Sequence, residues 1–417
     1  MKETSIRPVR PGLEKTIVTA PLNPEPLSSR IFLRRISGKE PMCKKIFVAA
    51  TGQNCGKTTT CLSILHMARK RHFRVGFIKP VGPKPTLFSG ALVDKDAALM
   101  AQVYGLGEDL EFMSPVVLQP GSTRKILDGE IQEGRLLEMI ERACAEMERQ
   151  CDFLVIEGAG HSGVGSVVGL SNARLARVLN APVLMVTGRG IGSVVDQVSM
   201  NLALFRQEGA HVGLIMPNKL IPEKRSSTLR YLRTALGRMG LKVEGGFNYH
   251  PVLANPTLQR LSRVLDAPLA GDPQEGQRIV DHVQLGAASA QRVADLLLPS
   301  TLIVVTSSRD ELLVMLASLH QIPEYREKIA GIVISGLAPV SRVTRQILDG
   351  SGVPYLRVRN TTAEAFAAIT GDIAKISAED HAKIGLVQSL AETEMNFAAV
   401  ESLAGGHEPA ARVVGFR

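Results

Sequence analysis

The stretch Val48–Thr60, VAATGQNCGKTTT, decides the fold class of this chain. The common phosphate-binding loop (P-loop) has the pattern G-x-x-x-x-G-K-[ST], in which backbone N–H groups surround the phosphates and the lysine reaches their outer oxygens. Gly56, Lys57 and Thr58 match the second half of that pattern. Thr51 stands where the first glycine belongs, and Gly52 follows one position late. The loop therefore departs from the strict pattern by one residue.

The segments on both sides of this stretch fit a phosphate site. The apolar segment KIFVAAT precedes it at strand length, and KTTTCLSILHMARKR follows with helical periodicity. A phosphate would lie on the helix N-terminus, where unpaired N–H groups and the helix dipole favour negative charge. The alternative is an ordinary glycine-containing turn before a helix. The residues predicted to bind the nucleotide phosphates are Gly52, Gln53, Asn54, Cys55, Gly56, Lys57, Thr58 and Thr59.

The chain continues with the same alternation to about residue 263. Apolar strands that alternate with helices form a parallel sheet covered by helices on both faces. A second, smaller block of the same kind, with TLIVVTS and IAGIVISG among its strands, runs over 269–376. We therefore predict an α/β fold, with a P-loop NTPase-type sheet over 42–263, a smaller α/β domain over 269–376, and a terminal helix and tail over 377–417.

The first 41 residues differ from the rest in composition. They contain six prolines, and eight Lys or Arg against four Asp or Glu. Met42 stands directly before the first predicted strand. Two interpretations stay open for 1–41: a flexible extension, or a mis-assigned start upstream of a natural start at Met42, which we favour.

Composition narrows the class of function. The net charge of +9 falls to +5 outside the extension, which suits a small anionic ligand. An aromatic content of 4% without Trp argues against nucleic-acid binding by base stacking. The five cysteines form no C-x-x-C pair, so we predict neither disulfides nor a zinc site. Because no apolar run reaches the ~18 residues of a membrane span and no secretory signal is present, we expect a cytoplasmic protein without membrane contact.

A Mg²⁺ ion beside the phosphates would need oxygen ligands. Glu157 ends the apolar segment FLVIE, which places it at the edge of the sheet where parallel strands end and where such sheets bind ligands. Asp94 and Asp96 flank Lys95 at the start of a helix, and each is either a metal ligand or a helix cap. His161, in the turn after Glu157, is either an acid or base or a hydrogen-bonded loop residue.

A second glycine-rich turn, TGRGIGS at Thr187–Ser193, also joins a strand to a helix. It lacks the G-x-G-x-x-G spacing of dinucleotide-binding proteins. We therefore predict a tight turn near the sheet edge and not a nicotinamide site.

Five segments, in order and at similar spacing, resemble dethiobiotin synthetase and its relatives: TGQNCGKTTT, FIKPVG, DKDAALMAQ, LVIEGAG and GLIMPNK. In that family the P-loop also begins with Thr. The resemblance implies ATP and Mg²⁺ as cofactors and assigns metal ligation to Thr58, Asp96 and Glu157, favouring Asp96 over Asp94.

The same resemblance implies two catalytic lysines, Lys57 in the P-loop and Lys79 in the K-P-V triplet. It also implies an asparagine that reads the adenine, Asn218. These roles come from the family and not from the spacing of the residues.

The second block resembles the DRTGG domain, which follows a dethiobiotin-synthetase-like domain in the N-terminal half of long phosphate acetyltransferases. The matching segments are QLGAASAQRVADLLLPSTLIVVTSSRDE, GIVISGLAP and RNTTAEAFAAI. The residues that name the domain are altered: Ser308-Arg309 replaces Asp-Arg, and Ser335-Gly336-Leu337 replaces Thr-Gly-Gly. The two resemblances together cover about 44–376.

Three enzyme hypotheses can be weighed on this basis. As a dethiobiotin synthetase the chain would activate a carbamate with ATP, but Pro83 replaces a family serine, which indicates a changed substrate. A glutamine-dependent cobyrinic acid a,c-diamide synthase needs a glutaminase cysteine, and no cysteine follows Cys151 in this sequence. A phosphate acetyltransferase needs a catalytic domain after the DRTGG domain, so we expect a freestanding N-terminal half and not a complete enzyme.

The expected function is therefore Mg·ATP binding by a regulatory or sensing protein, with ATP hydrolysis or phosphoryl transfer to an unknown acid as its chemistry. The alternative is a dethiobiotin-synthetase-like ligase that activates a carboxylate or carbamate. The expected partners are ATP and one unidentified small anionic ligand. The sequence leaves open whether the protein is an enzyme and whether it is a homo-oligomer.

Overall fold

The structure is a computed structural model that describes residues 43–371 and 376–406. The extension predicted over 1–41 and most of the predicted tail lie outside them. Within the described residues, no helix has both the length and the apolar character needed to cross a membrane.

The first part of the chain contains the following elements: β1 (Lys44–Ala50), α1 (Lys57–Lys70), β2 (Val75–Ile78), β3 (Val81–Gly82), β4 (Pro85–Phe88), β5 (Ala91–Asp94), α2 (Lys95–Tyr104), α3 (Leu110–Met113), β6 (Val116–Val117), α4 (Ser122–Leu127), α5 (Glu133–Gln150), β7 (Phe153–Glu157), α6 (Asn172–Val178), β8 (Val183–Thr187), α7 (Gly192–Glu208), β9 (Val212–Pro217), α8 (Arg225–Gly237) and β10 (Lys242–Val243).

The remaining elements are α9 (Pro251–Ala254), α10 (Leu258–Val264), β11 (Leu269–Ala270), β12 (His282–Leu285), α11 (Ala290–Asp295), β13 (Thr301–Thr306), α12 (Asp310–His320), α13 (Pro323–Lys328), β14 (Ile329–Ser335), α14 (Arg342–Ser351), β15 (Tyr355–Arg357), α15 (Thr362–Gly371), α16 (His381–Glu394) and α17 (Phe397–Gly405).

The first sheet has six parallel strands in the order β10-β9-β8-β1-β7-β2. Its central strands are apolar and almost wholly buried, because helices cover both faces. Val48 of β1 lies opposite Glu157 of β7, so these neighbouring strands bring the P-loop and Glu157 to one edge of the sheet. The predicted P-loop NTPase-type α/β fold is confirmed.

The second sheet has five strands in the order β11-β15-β14-β13-β12. Four of them are parallel, and the two-residue β11 pairs antiparallel with β15 at one edge. β13 and β14 are its buried centre, as expected for TLIVVTS and IAGIVISG. The predicted second α/β unit is therefore present.

The end of the described chain returns to the first sheet. Where the sequence predicts one terminal helix, the structure has two, α16 and α17, separated at Met395 and Asn396. Val387 and Val400 belong to the same buried core as β1. The ring of Phe397 lies 5.8 Å from that of Phe153. The two helices thus complete the core around the P-loop sheet, which the sequence pattern does not predict.

A hairpin formed by β4 and β5, which the sequence pattern does not predict, lies between the K-P-V lysine and Asp96. Its turn residues Ser89 and Gly90 both have positive φ, which suits the tight turn of a two-stranded hairpin. The hairpin ends at Asp94, and α2 begins directly after it.

Candidate functional site

The P-loop opens α1 without a side-chain cap. Its N-cap residue, Gly56, has φ 96°, and none of the described side chains caps the helix. A Cβ at this position would lie 1.9 Å from Nδ2 of Asn218, so any other residue would displace Asn218 and would also be strained by the positive φ. The first N–H groups of α1 are thus left to an anion.

The predicted loop residues border a cavity of about 780 Å³. Gly52 and Cys55 do not line it; Cys55 is buried, and its carbonyl oxygen accepts a hydrogen bond from Nδ2 of Asn218 at 2.8 Å. The predicted loop residues that line the cavity are Gln53, Asn54, Gly56, Lys57, Thr58 and Thr59.

Four predicted residues from distant parts of the chain meet beside the loop. Oγ1 of Thr58 lies 3.2 Å from Oε1 of Glu157 and 3.5 Å from Oδ1 of Asp96. Nζ of Lys79 donates to Oδ2 of Asp96 at 2.9 Å and to Oε1 of Glu157 at 3.0 Å. Parallel strands bring them together, because β1 leads into the P-loop, β2 ends just before Lys79 and β7 ends at Glu157.

Burial and charge act in opposite directions on the two lysines. Burial alone would lower the pKa of Lys79, but the carboxylates of Glu157 and Asp96 outweigh it and hold that pKa well above its usual value. Burial lowers the pKa of Lys57, against a partial opposing effect of Glu157. Nζ of Lys57 donates to the Gly160 carbonyl at 3.0 Å. Lys79 is thus bound to carboxylates, whereas Lys57 faces a neutral acceptor.

The structure separates the two aspartates at the start of α2. Asp94 is fully buried and caps the helix, its Oδ1 accepting from the backbone N–H of Asp96 at 2.9 Å. Its Oδ2 accepts from the backbone N–H of Lys84 at 3.0 Å. Asp94 therefore has the role of a helix cap, and Asp96 faces the P-loop.

The structure also shows the surroundings of Asn218, His161 and the TGRGIGS turn. Asn218 lines the cavity against the P-loop, and its contact with adenine stays a prediction. His161 is exposed and does not line the cavity, and its Nδ1 accepts from the backbone N–H of Gly163 at 3.2 Å. Of the two alternatives for His161, the structure therefore favours a hydrogen-bonded loop residue over an acid or base. TGRGIGS is a turn between β8 and α7, as predicted.

Two asparagines that hold the site in shape were missed. Asn172 at the start of α6 accepts from the N–H of Ala159 at 3.0 Å, which fixes the turn after Glu157. Asn201 in α7 donates to the carbonyl of Thr51 at 3.2 Å and accepts from the N–H of Ser162 at 2.8 Å. Both are almost fully buried. Their signal in the sequence is a single polar residue among the otherwise apolar positions on the buried side of each helix.

The residues present fit Mg²⁺ and a nucleoside triphosphate. The described residues hold no cluster of three or more His, Cys, Asp or Glu side chains around one point. Mg²⁺ does not require one, because it keeps several waters and takes a few oxygen ligands, such as the carboxylates of Asp96 and Glu157 and the hydroxyl of Thr58. Oε2 of Glu157 is buried and lacks a hydrogen-bond partner in the described part of the chain. Such an oxygen suits a metal or its water.

Comparison with known families gives two adjacent matches. The AAA domain family matches residues 44–257, half of the chain, and the DRTGG domain family matches residues 260–371. The predicted succession of a dethiobiotin-synthetase-like P-loop domain and a DRTGG domain is thereby confirmed.

Individual relatives agree with this succession. Phosphate acetyltransferase of Nitrosomonas europaea is 23% identical over 80% of this chain and 48% of its own length. The ATP-dependent dethiobiotin synthetase BioD of Aromatoleum aromaticum is 26% identical over 61% of this chain and 96% of its own length. The chain thus spans about half the length of the acetyltransferases it matches. The MinD cell division protein of Aquifex aeolicus aligns with 51% of this chain and 84% of its own at 13% identity and a TM-score of 0.31.

Proposed function

This chain belongs to the AAA domain family, and on that premise we propose that it binds Mg·ATP at the P-loop and acts as a regulatory or sensing protein. The observation that carries the proposal is the meeting of Thr58, Asp96 and Glu157 beside an uncapped α1. A phosphate-binding turn alone would not need two buried carboxylates within reach of its threonine.

Each residue has a defined task in this proposal. The N–H groups of α1 and the ammonium of Lys57 bind the phosphates. Thr58, Asp96 and Glu157 would hold Mg²⁺, which when bound neutralises phosphate charge and orients the outer phosphate. Lys79 keeps the two carboxylates in place and supplies a positive charge near the outer phosphate. The same groups would support ATP hydrolysis or phosphoryl transfer to an acid, because such catalysis depends mainly on positioning and charge.

The walls of the cavity support a sensing role. The P-loop and Asp96 form one side, whereas Arg260 and Arg263 of α10 and the residues 376–379 also line it. Arg260 and Arg263 belong to the segment that matches the DRTGG family. A nucleotide in this cavity would therefore contact both family segments, so its presence can be communicated to the second sheet.

The test is calorimetric titration of the full chain with ATP and with GTP, with Mg²⁺ and with EDTA, followed by phosphate-release assays. Wild type should bind ATP more tightly with Mg²⁺. Glu157→Gln should lower the Mg²⁺-dependent affinity about 10-fold or more and change the affinity in EDTA little. Glu138→Gln, an exposed glutamate on α5, is the matched control. Affinity that is independent of Mg²⁺ in wild type would refute the metal site.

A second candidate is the dethiobiotin-synthetase-like ligase, favoured by the match to 96% of a BioD chain. Here ATP would activate a carboxylate or carbamate, with Lys79 beside the reacting oxygen. Pro83 lines the cavity where the family has a serine, so we expect a different acceptor from that of BioD. ADP release that depends on an added diamine and bicarbonate would favour this candidate over a sensing role.

A further inference from the structure

The strand order of the first sheet places the two sides of the cavity on opposite sides of the P-loop. β7 and β2 lie on one side of β1, and β8, β9 and β10 lie on the other. Glu157, a proposed metal ligand, ends β7, whereas Asn218 directly follows β9, and both residues line the cavity. A nucleotide whose outer phosphate lies beside the metal ligands therefore directs its base toward the side of Asn218.

The residues 247–250, which we call the base wall, line the cavity on this side. The backbone joins them to the segment after β9. The N–H of Tyr249 donates to the carbonyl of Leu220 at 2.7 Å, and the N–H of Leu220 donates to the carbonyl of Phe247 at 3.0 Å. The base wall offers aromatic rings and an amide side chain, groups that can stack on a heterocyclic base or form hydrogen bonds with it.

A residue from the end of the described chain fixes the base wall. Glu394 is the last residue of α16, and its Oε2 accepts from the backbone N–H of Asn248 at 2.7 Å. Its Oε1 accepts from Nδ2 of Asn248 at 2.6 Å. Nη1 of Arg225 donates to Oδ1 of Asn248 at 3.2 Å and lies 3.7 Å from Oε2 of Glu394. Asn248 is thus held between two charged groups, and hydrogen bonds to charged groups are the stronger kind.

Two glycines before the base wall allow this close approach. Gly245 has φ 65°, and a Cβ there would lie 3.1 Å from the backbone nitrogen of Asn396. Gly246 has φ 119°, and a Cβ there would lie 2.7 Å from the carbonyl oxygen of Pro217. The backbone that leads into the base wall therefore lies in contact with both the end of α16 and the end of β9.

We propose that Glu394 is a positioning residue for the nucleotide base, which it affects by holding Asn248 and with it the base wall. This inference deepens the proposed function and rests on it. Glu394 lies after both segments matched by the families, 44–257 and 260–371. It has no contact with the P-loop residues in the described part of the chain, so its loss should weaken binding of the base and leave binding of the phosphates unchanged.

The test compares Mg·ATP with Mg·tripolyphosphate, which has the phosphates but neither base nor sugar, by calorimetry on the full chain. In Glu394→Ala the ATP affinity should fall about 10-fold, because the N–H groups of Asn248 lose a charged partner. The tripolyphosphate affinity should stay as in wild type. Glu394→Gln keeps an acceptor for one N–H group and should lose about 3-fold. Glu392→Ala, on the same helix, removes only contacts with His66 and Lys70 and should bind both ligands as wild type does.

Hydrogen exchange gives a measurement that needs no ligand. The backbone N–H of Asn248 should exchange at least about 10-fold faster in Glu394→Ala than in wild type or in Glu392→Ala. Unchanged ATP affinity in Glu394→Ala, or equal losses for ATP and tripolyphosphate, would overturn the inference and leave the phosphate site intact. Wild-type protein that binds neither ligand would refute the proposed function and the inference together.

Discussion

Both sheets of this protein end in the same way, with parallel strands that lead through turns into helices, yet the two edges differ in what satisfies the helix N-termini. At the first edge, α1 begins after Gly56 with no side-chain cap among the described residues. At the second edge, Ser289 caps α11, Ser341 caps α14, and Thr361 and Glu364 form a capping box at α15. α12 of the second edge also begins without a side-chain cap, after Arg309, whereas the uncapped α1 of the first edge begins with Lys57.

The two edges also differ in what their basic residues contact. Arg357 donates to the carbonyls of Gly336 and Ala338 at 2.7 and 2.8 Å. Arg309 donates to the carbonyls of Gly286 and Ala288 at 3.2 and 3.1 Å. The arginines of the second edge therefore stabilise loops, whereas Lys57 lines a cavity. The same topology can therefore hold a ligand or stabilise its own loops.

The largest effect should come from Lys57→Ala. Removing the buried ammonium takes away several charge-assisted hydrogen bonds to phosphate, so we expect Mg·ATP affinity to fall about 100-fold in calorimetry. The melting temperature should change little, because among the described residues Lys57 donates to a single carbonyl, that of Gly160. Arg357→Ala at the second edge should lower the melting temperature and leave the Mg·ATP affinity unchanged. Equal ATP affinity in Lys57→Ala and wild type would remove the distinction between the edges.

Gly56→Ala should affect both stability and binding. The φ of 96° costs about 1–2 kcal/mol for a residue with a Cβ, and the new atom would overlap Asn218. We expect a lower melting temperature and ATP affinity reduced about 10-fold, since the loop must shift. Gly52→Ala is the control, because its Cβ would meet nothing closer than Sγ of Cys55 at 3.9 Å. If Gly52→Ala lost as much stability and ATP affinity as Gly56→Ala, the positive φ of Gly56 would not explain the effect.

Ser341→Ala tests the second edge alone. Oγ of Ser341 accepts from the N–H of Thr344 at 3.1 Å, and loss of such a cap lowers the free energy of unfolding by about 1 kcal/mol. Denaturant titration should show this loss with no change in ATP affinity. Ser226→Ala on α8, an exposed position, is the matched control. A change in nucleotide affinity would show that the second edge takes part in that site.

The smallest effect concerns pH and His320 at the end of α12. Burial, together with the nearby Arg326 and Arg278, lowers the pKa of His320, so the folded protein favours the neutral ring. The stability that the neutral His320 ring contributes is complete above the pKa of histidine in the unfolded chain, about 6.5. It is lost as the pH falls toward the lower pKa of His320 in the folded protein. The melting temperature should therefore fall between about pH 7.5 and 5.5, and less so in His320→Asn. The same pH dependence in the variant would assign the effect to other groups.

The sequence predicts local features of the first edge well and distant ones poorly. Lys57 and Thr58 could be placed at a helix start because strand, loop and helix are contiguous there. Asp94 and Asp96 could not be separated by pattern alone, because both lie at the start of the same helix and only the hairpin fixes which one faces the P-loop.

Other parts of the site depend on contacts that periodicity does not encode. The ion pairs of Lys79 join β2, α2 and β7, so they require the sheet order. The positions of Arg260 and Arg263 on the same cavity require the packing of two segments that the sequence treats as separate domains. The capping residues of the second edge, in contrast, precede their own helices and can be recognised from the sequence.

The return of α16 and α17 to the first sheet has a consequence for the order of folding during synthesis. Phe397 packs near Phe153, and Lys44 forms an ion pair with Glu401 at 2.6 Å, so this side of β1 and β7 is not covered until residues beyond 395 have been made. Contacts this distant in sequence carry a large loop-closure cost and form late. The second sheet, whose core lies wholly between residues 258 and 369, can form before the P-loop core is complete. On the ribosome, the nucleotide site would therefore be the last part of the molecule to become competent.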